Sequence, residues 1–557
     1  MTTLEETRLE EARQAGDRIV AQVTQLFQGG KLAPAIDMAR AALANGITHP
    51  MLLRVRAYGF EQNNQLREAT ADLQQAIGIA PGHATLHNAL GYCLGKLGRW
   101  SDAVVEFETA IALSPRFLAA QYGLATALDA TGDLSGSEAA LKRVLELDPA
   151  NAAPLSDLAG LEARRGHWQE ASRLAEQALA ADPRQYQALT TLADVAIATG
   201  ALDNAQSLIA SALADPAFPP IERSTMLTLQ GDLAHARGRY DEAFRDYSEA
   251  NAQRRRLFAD QYASAGRETA ISFVQWLGEY LDRAPKEAWS AAGRGTAQTE
   301  GPKLAGHVFL IGFPRSGTTL LENILSSHPG VVALEEKETF IASTREYFAD
   351  DKGADRLAAA DDAALAPLRE DYWRRVAQYG AGALDGKVFV DKRPLGATKL
   401  PLIAKLFPDA KILFALRDPR DVVLSCFRRY FQLNPSMYEM LDLRGAARFY
   451  AATMTLASVC RAKLGLGWLE TRHEALIDDF DGELGRIVDF LGLAWSDEVR
   501  DFAQKAKTRT IATPSSVQVI KGLNRDGVGQ WRHYRAQLAP VQSTLRPWVE
   551  KFGYGSA

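Results

Sequence analysis

Small and apolar residues recur every 34 positions along the first half of the 557-residue chain. Alanines keep this spacing at most copies of one position, where Ser137 stands at the single gap. The other residues that carry the period are Pro81, Pro115, Pro149, Pro183, Gly98, Gly132, Gly166 and Gly200. Two short helices joined by a glycine turn and ended by a proline have this length, so the pattern predicts a repeated pair of helices.

The clearest copy of this unit spans residues 84–117. We expect Gly91 to begin the close packing of its two helices and Gly98 to turn the chain between them. Phe107 and the alanines about one turn before and after it should face the partner helix. The period and pattern resemble the tetratricopeptide repeat (TPR), and we count about seven units over residues 16–257.

One helical pair of this kind cannot bury its apolar face alone, so stacked pairs share a core and form an α-solenoid with a concave groove. Such a groove favours a protein or peptide ligand. The alternative is that the repeats act as a spacer or as a dimerisation surface. In the second case the chain would form a homodimer. Residues 258–306 follow the repeats, and we predict that they form a capping helix and a linker, because residues 284–306 are rich in Gly, Ala and charge.

The second half begins with an apolar run at residues 307–313, which predicts a buried strand. A turn with the sequence Pro-Arg-Ser-Gly follows, and an apolar-periodic helix begins near Thr318. A tight loop between a strand and a helix directs free backbone N–H groups and the positive end of the helix dipole to one point. Gly317 allows close approach of an anion, and Arg315 adds charge. This stretch predicts a phosphate site.

The spacing from Gly312 to Gly317 matches the nucleotide-binding pattern G-x-x-x-x-G-K-[ST] except at one position. Thr318 stands where that pattern has its lysine. The lysine contacts the β- and γ-phosphates in nucleotide triphosphatases. Its replacement therefore argues against hydrolysis of ATP or GTP, although a P-loop kinase-like phosphoryl transferase is an alternative.

Two more predicted strands end in basic residues. Residues 387–390 lead into Lys392, and residues 411–416 lead into Arg417. Ser425 and Arg429 lie four residues apart on the helix that follows Arg417, so they share a face. These groups suit a second anion, and the alternative is a surface ion-pair network with the nearby aspartates, Asp418 and Asp421.

An acidic run follows the predicted phosphate loop by about 20 positions and includes Glu336. A carboxylate close to a loop of this kind is a candidate general base. The alternative is a solvated acidic turn before the next helix.

Charge and cysteine content narrow the classes of function. The formal net charge of −5 provides no overall field that attracts nucleic acid or an anionic membrane. The three cysteines are far apart and match no metal-ligand spacing, so we expect no disulfide framework and no metal. The chain begins with an acidic helical stretch without a signal-peptide pattern, and no apolar run reaches the ~18 residues of a membrane span. We therefore expect a cytoplasmic protein.

Several motifs of the second half occur in the same order in a known family. They are PRSGTT, HPGVVALEE, DKRP, LFPDAKILFALRDPRD and SSVQVIKGLN. The C-terminal half resembles sulfotransferases that use 3′-phosphoadenosine 5′-phosphosulfate (PAPS), and its closest eukaryotic likeness is to tyrosylprotein sulfotransferase. The whole chain is similar to bacterial fusions of TPR arrays with a sulfotransferase domain. The resemblance implies an α-solenoid followed by a three-layer, P-loop-like α/β domain over residues 307–557, with a central parallel sheet.

The resemblance also implies individual roles. Residues of the first loop would hold the 5′-phosphosulfate, and those after the strand at 411–416 would hold the 3′-phosphate. The residues implied to bind the donor are Arg315, Ser316, Gly317, Thr318, Thr319, Arg417, Ser425, Arg429, Ser515 and Lys521. Glu336 would be the catalytic base, while Lys392, Arg315 and Ser515 would stabilise the leaving group.

Three positions depart from the tyrosine-sulfating pattern. Glu338 stands at an arginine used around the acceptor, His473 at a tyrosine that contacts the nucleotide, and Gln530 at a lysine. The first departure leaves the acceptor open between protein tyrosine, a sugar hydroxyl and a small metabolite. The remaining alternative from another class is a TPR scaffold with an inactive nucleotide-binding half.

Overall fold

The computed structural model describes residues 3–262, 269–289, 301–508, 519 and 522–555. Its first half consists of α-helices joined by short turns. These are α1 (Thr3–Gln28), α2 (Leu32–Ala44), α3 (Pro50–Gln62), α4 (Leu66–Ile79), α5 (Ala84–Lys96), α6 (Trp100–Leu113), α7 (Leu118–Thr131), α8 (Leu134–Leu147), α9 (Ala152–Arg164), α10 (Trp168–Ala181), α11 (Tyr186–Ala198), α12 (Leu202–Ala214), α13 (Pro220–Ala236) and α14 (Tyr240–Leu257). The predicted solenoid of helical pairs is confirmed.

The turn inside each helical pair has a residue in the left-handed region of the backbone. Gly98 turns the chain between α5 and α6 with a φ of 75°. The same conformation recurs at Gly30, Gly132, Gly166, Gly200 and Gly238. A residue with a Cβ is strained there, which explains the period of glycines. Asn64 occupies the equivalent turn position 34 residues before Gly98, with a φ of 56°.

Close packing of the paired helices depends on glycine too. A Cβ on Gly91 would lie 2.8 Å from the ring of Phe107, and one on Gly123 would lie 2.4 Å from the same ring. Phe107 is buried, as are Ala103 and Ala110 on the same face of α6. The predicted packing of this unit is therefore confirmed. An added methyl group at either glycine would overlap the ring, so the helices would have to separate.

The chain divides into two compact units. One unit comprises residues 1–161 and 173–188, and the other comprises residues 162–172 and 189–557. The second unit therefore contains the last repeat helices together with the whole of the C-terminal half. Within the predicted linker, Lys286–Trp289 forms the short helix α17, and the Trp289 side chain is fully buried.

The second unit contains a five-stranded parallel sheet in the order β2-β3-β1-β4-β5. The strands are β1 (Gly306–Gly312), β2 (Val331–Glu335), β3 (Val388–Arg393), β4 (Lys411–Leu416) and β5 (Gly467–Arg472). The central strand β1 lies between β3 and β4, so the chain crosses β1 when it passes from β3 to β4. Open parallel sheets bind ligands at the carboxyl ends of their strands beside such a reversal.

Helices cover both faces of this sheet. They follow α14 in the order α15 (Ala259–Tyr262), α16 (Ala270–Arg283), α17 (Lys286–Trp289), α18 (Thr318–Ser326), α19 (Ile341–Tyr347), α20 (Gly353–Ala359), α21 (Asp362–Gln378), α22 (Leu400–Leu406), α23 (Pro419–Arg428), α24 (Pro435–Glu439), α25 (Leu443–Lys463), α26 (His473–Asp478), α27 (Phe480–Leu491), α28 (Phe502–Thr508), α29 (Arg535–Leu538) and α30 (Gln542–Lys551). Short 3₁₀ turns occur at Gly396–Lys399, Asp497–Asp501, Gln530–Tyr534 and Ala539–Val541.

The side chains of β1 show the two buried faces. Phe309 and Ile311 join a core cluster that includes residues of α22 and α25. Val308 and Leu310, which point the opposite way, join a cluster that includes residues of α18 and α27. Since successive side chains of a strand alternate between its faces, the near-continuous apolar run of β1 follows from burial on both sides. The predicted three-layer α/β domain with a parallel sheet is confirmed.

All three cysteines are buried and unpaired. Within the described ranges, no helix combines the length and the apolar character that a membrane crossing requires.

Candidate active site at the carboxyl edge of the sheet

The loop between β1 and α18 is shaped by two left-handed residues. Gly317 caps α18 with a φ of 98°, and Arg315 has a φ of 71°. Gly312 ends β1 where a Cβ would lie 2.6 Å from Ser316 Oγ and 2.8 Å from the carbonyl oxygen of Ala415. No side chain caps α18, and the first N–H groups of a helix point back toward the residues before it, which here form the loop. The loop has the geometry of an anion site.

Arginine side chains surround this loop. Arg315 Nε donates to Ser425 Oγ of α23 over 3.0 Å. Arg417, at the end of β4, donates through Nη1 to the carbonyl oxygen of Arg315 over 3.0 Å and through Nη2 to the carbonyl of Gly527. The ends of β1 and β4 are thus joined to each other and to the segment that leads to the C-terminal helices.

The positive charges of this cluster oppose one another. Burial lowers the pKa of the Arg315 guanidinium, and the charges of Arg429 and Arg417 lower it further. The two nearby aspartates have other partners. Asp418 pairs with Arg420, and Asp421 accepts from the backbone N–H groups of residues 529 and 531 over 2.7 and 2.8 Å. An anion bound here would relieve the repulsion between the guanidinium groups.

A second cluster forms where β2 and β3 end. The Lys392 ammonium is fully buried, and its Nζ lies 3.0 Å from Glu336 Oε1 and 3.2 Å from Glu335 Oε1. It also lies 3.5 Å from Thr319 Oγ1 in the first turn of α18. Burial alone would lower the pKa of Lys392, but the carboxylates of Glu336, Glu335 and Glu322 raise it above its ordinary value. Lys392 is therefore a fixed positive charge beside the loop.

Glu336 connects this buried charge to solvent. Its side chain is 41% exposed although one oxygen contacts the buried Lys392. Its φ of 44° is left-handed, and its backbone N–H donates to the carbonyl of Lys392 over 3.1 Å. The carboxylate is thus held against a buried cation while part of the side chain faces solvent.

Three buried polar atoms at the loop find no hydrogen-bond partner within the described ranges. They are Ser316 Oγ, Arg417 Nε and His473 Nδ1. His473 begins α26 after β5, and its Nδ1 lies 2.8 Å from the point where Gly317 would carry a Cβ. Burial, followed by the charges of Arg417 and Arg315, lowers the pKa of His473 to about 3, so the imidazole is neutral. Buried polar atoms without a protein partner at one loop favour a ligand site there.

The structure thus brings most of the predicted residues to one edge of the sheet. Those of the first loop, 315–319, adjoin Arg417, Ser425, Lys392 and Glu336 through the contacts given above. Arg429 caps the C-terminal end of α23 and reaches Arg315 through its charge. Ser515 and Lys521 lie outside the described residues, so their predicted roles stay predictions. Gln530 donates through its amide to the carbonyl of Asp526 over 2.7 Å.

Sequence reasoning did not foresee several contacts at this edge of the sheet. Glu335 contacts Lys392 as closely as a salt bridge requires, although the acidic run gave no reason to prefer it over its neighbours. Glu322 is buried on α18 and acts on Lys392 through its charge. Asp421 binds the backbone before and within the 3₁₀ turn at Gln530–Tyr534. Each of these contacts joins segments distant in sequence, and no local pattern signals them.

Comparisons with known proteins match two separate parts of the chain. Residues 307–497 match the family described as "Sulfotransferase family". Residues 96–161 and 157–220 match two descriptions of the tetratricopeptide repeat.

Individual relatives cover parts of the chain. Protein-tyrosine sulfotransferase A of Caenorhabditis elegans is 27% identical over 44% of this chain and 67% of its own length. An uncharacterized protein of Aquifex aeolicus is 26% identical over 62% of this chain, which spans 44% of that relative. Among solved structures, the sulfotransferase domain of the Synechococcus PCC 7002 olefin synthase is 22% identical and aligns over 46% of this chain and 98% of its own, with a TM-score of 0.34. The chain thus combines a region that matches the tetratricopeptide repeat with a region that matches the sulfotransferase family.

Proposed function

We propose that this chain transfers a sulfuryl group from PAPS to the hydroxyl group of an acceptor. The observation that carries the proposal is the pair of clusters at one sheet edge. One cluster contains mutually repelling arginines around a helix N-terminus, and the other contains a buried lysine next to a half-exposed glutamate. The first suits the phosphates of a donor, and the second suits chemistry at the group that is transferred.

The donor has two anionic ends, and the arginine cluster has two parts that would receive them. The loop with Arg315 and the first turn of α18 would hold the 5′-phosphosulfate. Arg417, Ser425 and Arg429 would hold the 3′-phosphate. The unpaired atoms Arg417 Nε and Ser316 Oγ support this assignment, because each lacks a partner that a phosphate oxygen could supply.

The proposed reaction is an in-line displacement. The acceptor oxygen forms a bond to sulfur while the bond between sulfur and the bridging oxygen breaks, and the electron pair of that bond moves to the 5′-phosphate. Lys392 is a preorganised positive charge that stabilises the negative charge that develops on the bridging oxygen. Glu336 takes the proton of the acceptor hydroxyl. The products are the sulfated acceptor and adenosine 3′,5′-bisphosphate.

The relatives named as protein-tyrosine sulfotransferases support a tyrosine hydroxyl as one candidate acceptor. A phenol has a pKa of ~10, so a base must remove its proton at neutral pH, and Glu336 would do this. The repeats would bind the acceptor protein or another peptide partner, as the concave surfaces of such arrays do.

The test is a calorimetric titration of the full chain with adenosine 3′,5′-bisphosphate, with AMP and ATP as matched controls. We expect the bisphosphate to bind more tightly than AMP by about 1.5–3 kcal/mol, because one additional phosphate gains charge-assisted hydrogen bonds. Equal binding of bisphosphate and AMP would contradict the 3′-phosphate site. Preference for ATP would favour a kinase-like phosphoryl transferase, and no nucleotide binding would favour an inactive scaffold.

A further inference from the structure

The helix that carries Ser425 ends against the last repeat helix. Both α23 and α14 belong to the second compact unit. Phe244 of α14 stacks on Phe427 of α23 with ring centroids 5.3 Å apart. The proposed 3′-phosphate site therefore lies on an element whose C-terminal end is packed on the repeats.

Two side chains of α14 bind the backbone on either side of Arg429. Asn251 Nδ2 donates to the carbonyl oxygen of Phe427 over 2.8 Å, and Arg254 Nη2 donates to the carbonyl of Phe431. Asn251 and Arg254 are both buried, and the Arg254 guanidinium lies 4.0 Å from the centroid of the Tyr430 ring. The two carbonyl groups stand two residues before and two residues after Arg429, so α14 fixes the backbone across this position.

The repeats also hold the neighbouring arginine. Tyr247 donates its hydroxyl to Asp232 Oδ1 over 2.7 Å, and Arg428 Nη2 lies 3.8 Å from the same oxygen. Arg428 lies over the Tyr247 ring at 5.2 Å. The positive charge of Arg429 lowers the pKa of Arg315 in the loop, and it also acts on Asp194 and His235 of the repeat helices. Arg428 thus packs directly on the last repeat helix, and the charges of both arginines reach the Arg315 guanidinium of the candidate site.

We propose that Asn251 and Arg254 are positioning residues for the donor's 3′-phosphate, which act by fixing the backbone that carries Arg429. This inference rests on the proposed function. Under this proposal the last repeat helix, α14, contributes to donor binding through the backbone beside Arg429. A ligand of the repeats that displaces α14 would then change the affinity for the donor.

The test compares variants of the full chain by calorimetry with adenosine 3′,5′-bisphosphate and with AMP. Arg254→Met keeps most of the aliphatic stem but loses the donors, and Asn251→Ser shortens the side chain that reaches Phe427. We expect each variant to lower the ratio of the two affinities by about tenfold while AMP binding changes less than about twofold. Arg254→Lys, which keeps a donor, should restore part of the ratio. Arg255→Ala is the control, because Arg255 is on the same helix and 45% exposed.

The outcomes separate this inference from the proposed function. A wild-type chain that binds both nucleotides equally overturns the proposed function and this inference with it. A wild-type chain that discriminates, together with variants that discriminate equally well, overturns the positioning role alone. Parallel loss of both affinities in the variants also overturns it, because that result indicates general loss of folding rather than loss of the 3′-phosphate contact.

Discussion

Left-handed backbone positions occur in both halves of the chain, but different residues hold them. In the repeats, the turn positions from Gly98 to Gly238 are glycines, which adopt this conformation without strain. At the carboxyl edge of the sheet, the left-handed residues include Arg315 and Glu336, which carry long charged side chains. A side chain in this region costs roughly 1–2 kcal/mol. These five repeat turns therefore avoid the strain, whereas the candidate site keeps it.

The strain at the site is held by tertiary contacts. The carbonyl oxygen of Arg315 accepts from Arg417, and the backbone N–H of Glu336 donates to the carbonyl of Lys392. Unfavourable backbone conformations persist where surrounding contacts impose them, and they are frequent at functional sites. Turns that only connect helices therefore use glycine, the residue with the least strain at a positive φ. Turns that place a charge keep the charged residue at a cost in stability.

The largest effect should come from changing the charge at Glu336 without changing its backbone. Glu336→Gln keeps the side-chain shape, so nucleotide binding should stay near normal while kcat falls by roughly 10²–10⁴, as expected when a general base is lost. Steady-state kinetics with a phenolic acceptor and PAPS measure this change. Glu335→Gln is the matched control, because Glu335 also contacts Lys392 but lacks the left-handed conformation. An unchanged kcat in Glu336→Gln would remove Glu336 from the mechanism.

The next effect concerns the free energy of unfolding at Arg315. Both Arg315→Gly and Arg315→Ala remove a guanidinium that is repelled by Arg417 and Arg429, but only glycine also relieves the positive φ. We expect the glycine variant to be more stable than the alanine variant by about 1 kcal/mol, after allowance for the greater flexibility of glycine in the unfolded chain. Both variants should lose donor binding. Urea unfolding followed by circular dichroism compares them, and an alanine variant of equal or greater stability would contradict the strain at this residue.

The same comparison shows what the sequence could predict. The 34-residue period predicted the solenoid because each turn needs the same glycine, and the apolar runs predicted strands because β1 is buried on both faces. The loop before Thr318 predicted an anion site through local chemistry alone, and that site stays a prediction. Contacts that join distant segments had no such signal. His473 lies against Gly317, and Asn251 binds the end of α23, only because the fold brings them together.

The smallest effect should occur at Asn64, the one repeat turn of this series without glycine. Asparagine tolerates the left-handed region better than other residues with a Cβ, because its short polar side chain makes local hydrogen bonds. The backbone N–H of Asn64 donates to the carbonyl oxygen of Glu61 over 3.0 Å, and alanine would keep this bond but not the tolerance of asparagine for a positive φ. Asn64→Ala should therefore destabilise the repeats by about 1 kcal/mol.

Asn64→Gly should change the stability by less than about 0.5 kcal/mol, because relief of the remaining strain is offset by the larger entropy of glycine in the unfolded chain. Urea unfolding of both variants, beside Gly132→Ala as a reference for a full glycine slot, measures the series. We expect Gly132→Ala to destabilise the protein at least as much as Asn64→Ala does, since both variants place alanine at a positive φ, 76° and 56° respectively. If Asn64→Ala left the free energy of unfolding unchanged while Gly132→Ala lowered it, a positive φ alone would not explain the cost of alanine at Gly132. The glycine period would then reflect packing rather than backbone conformation.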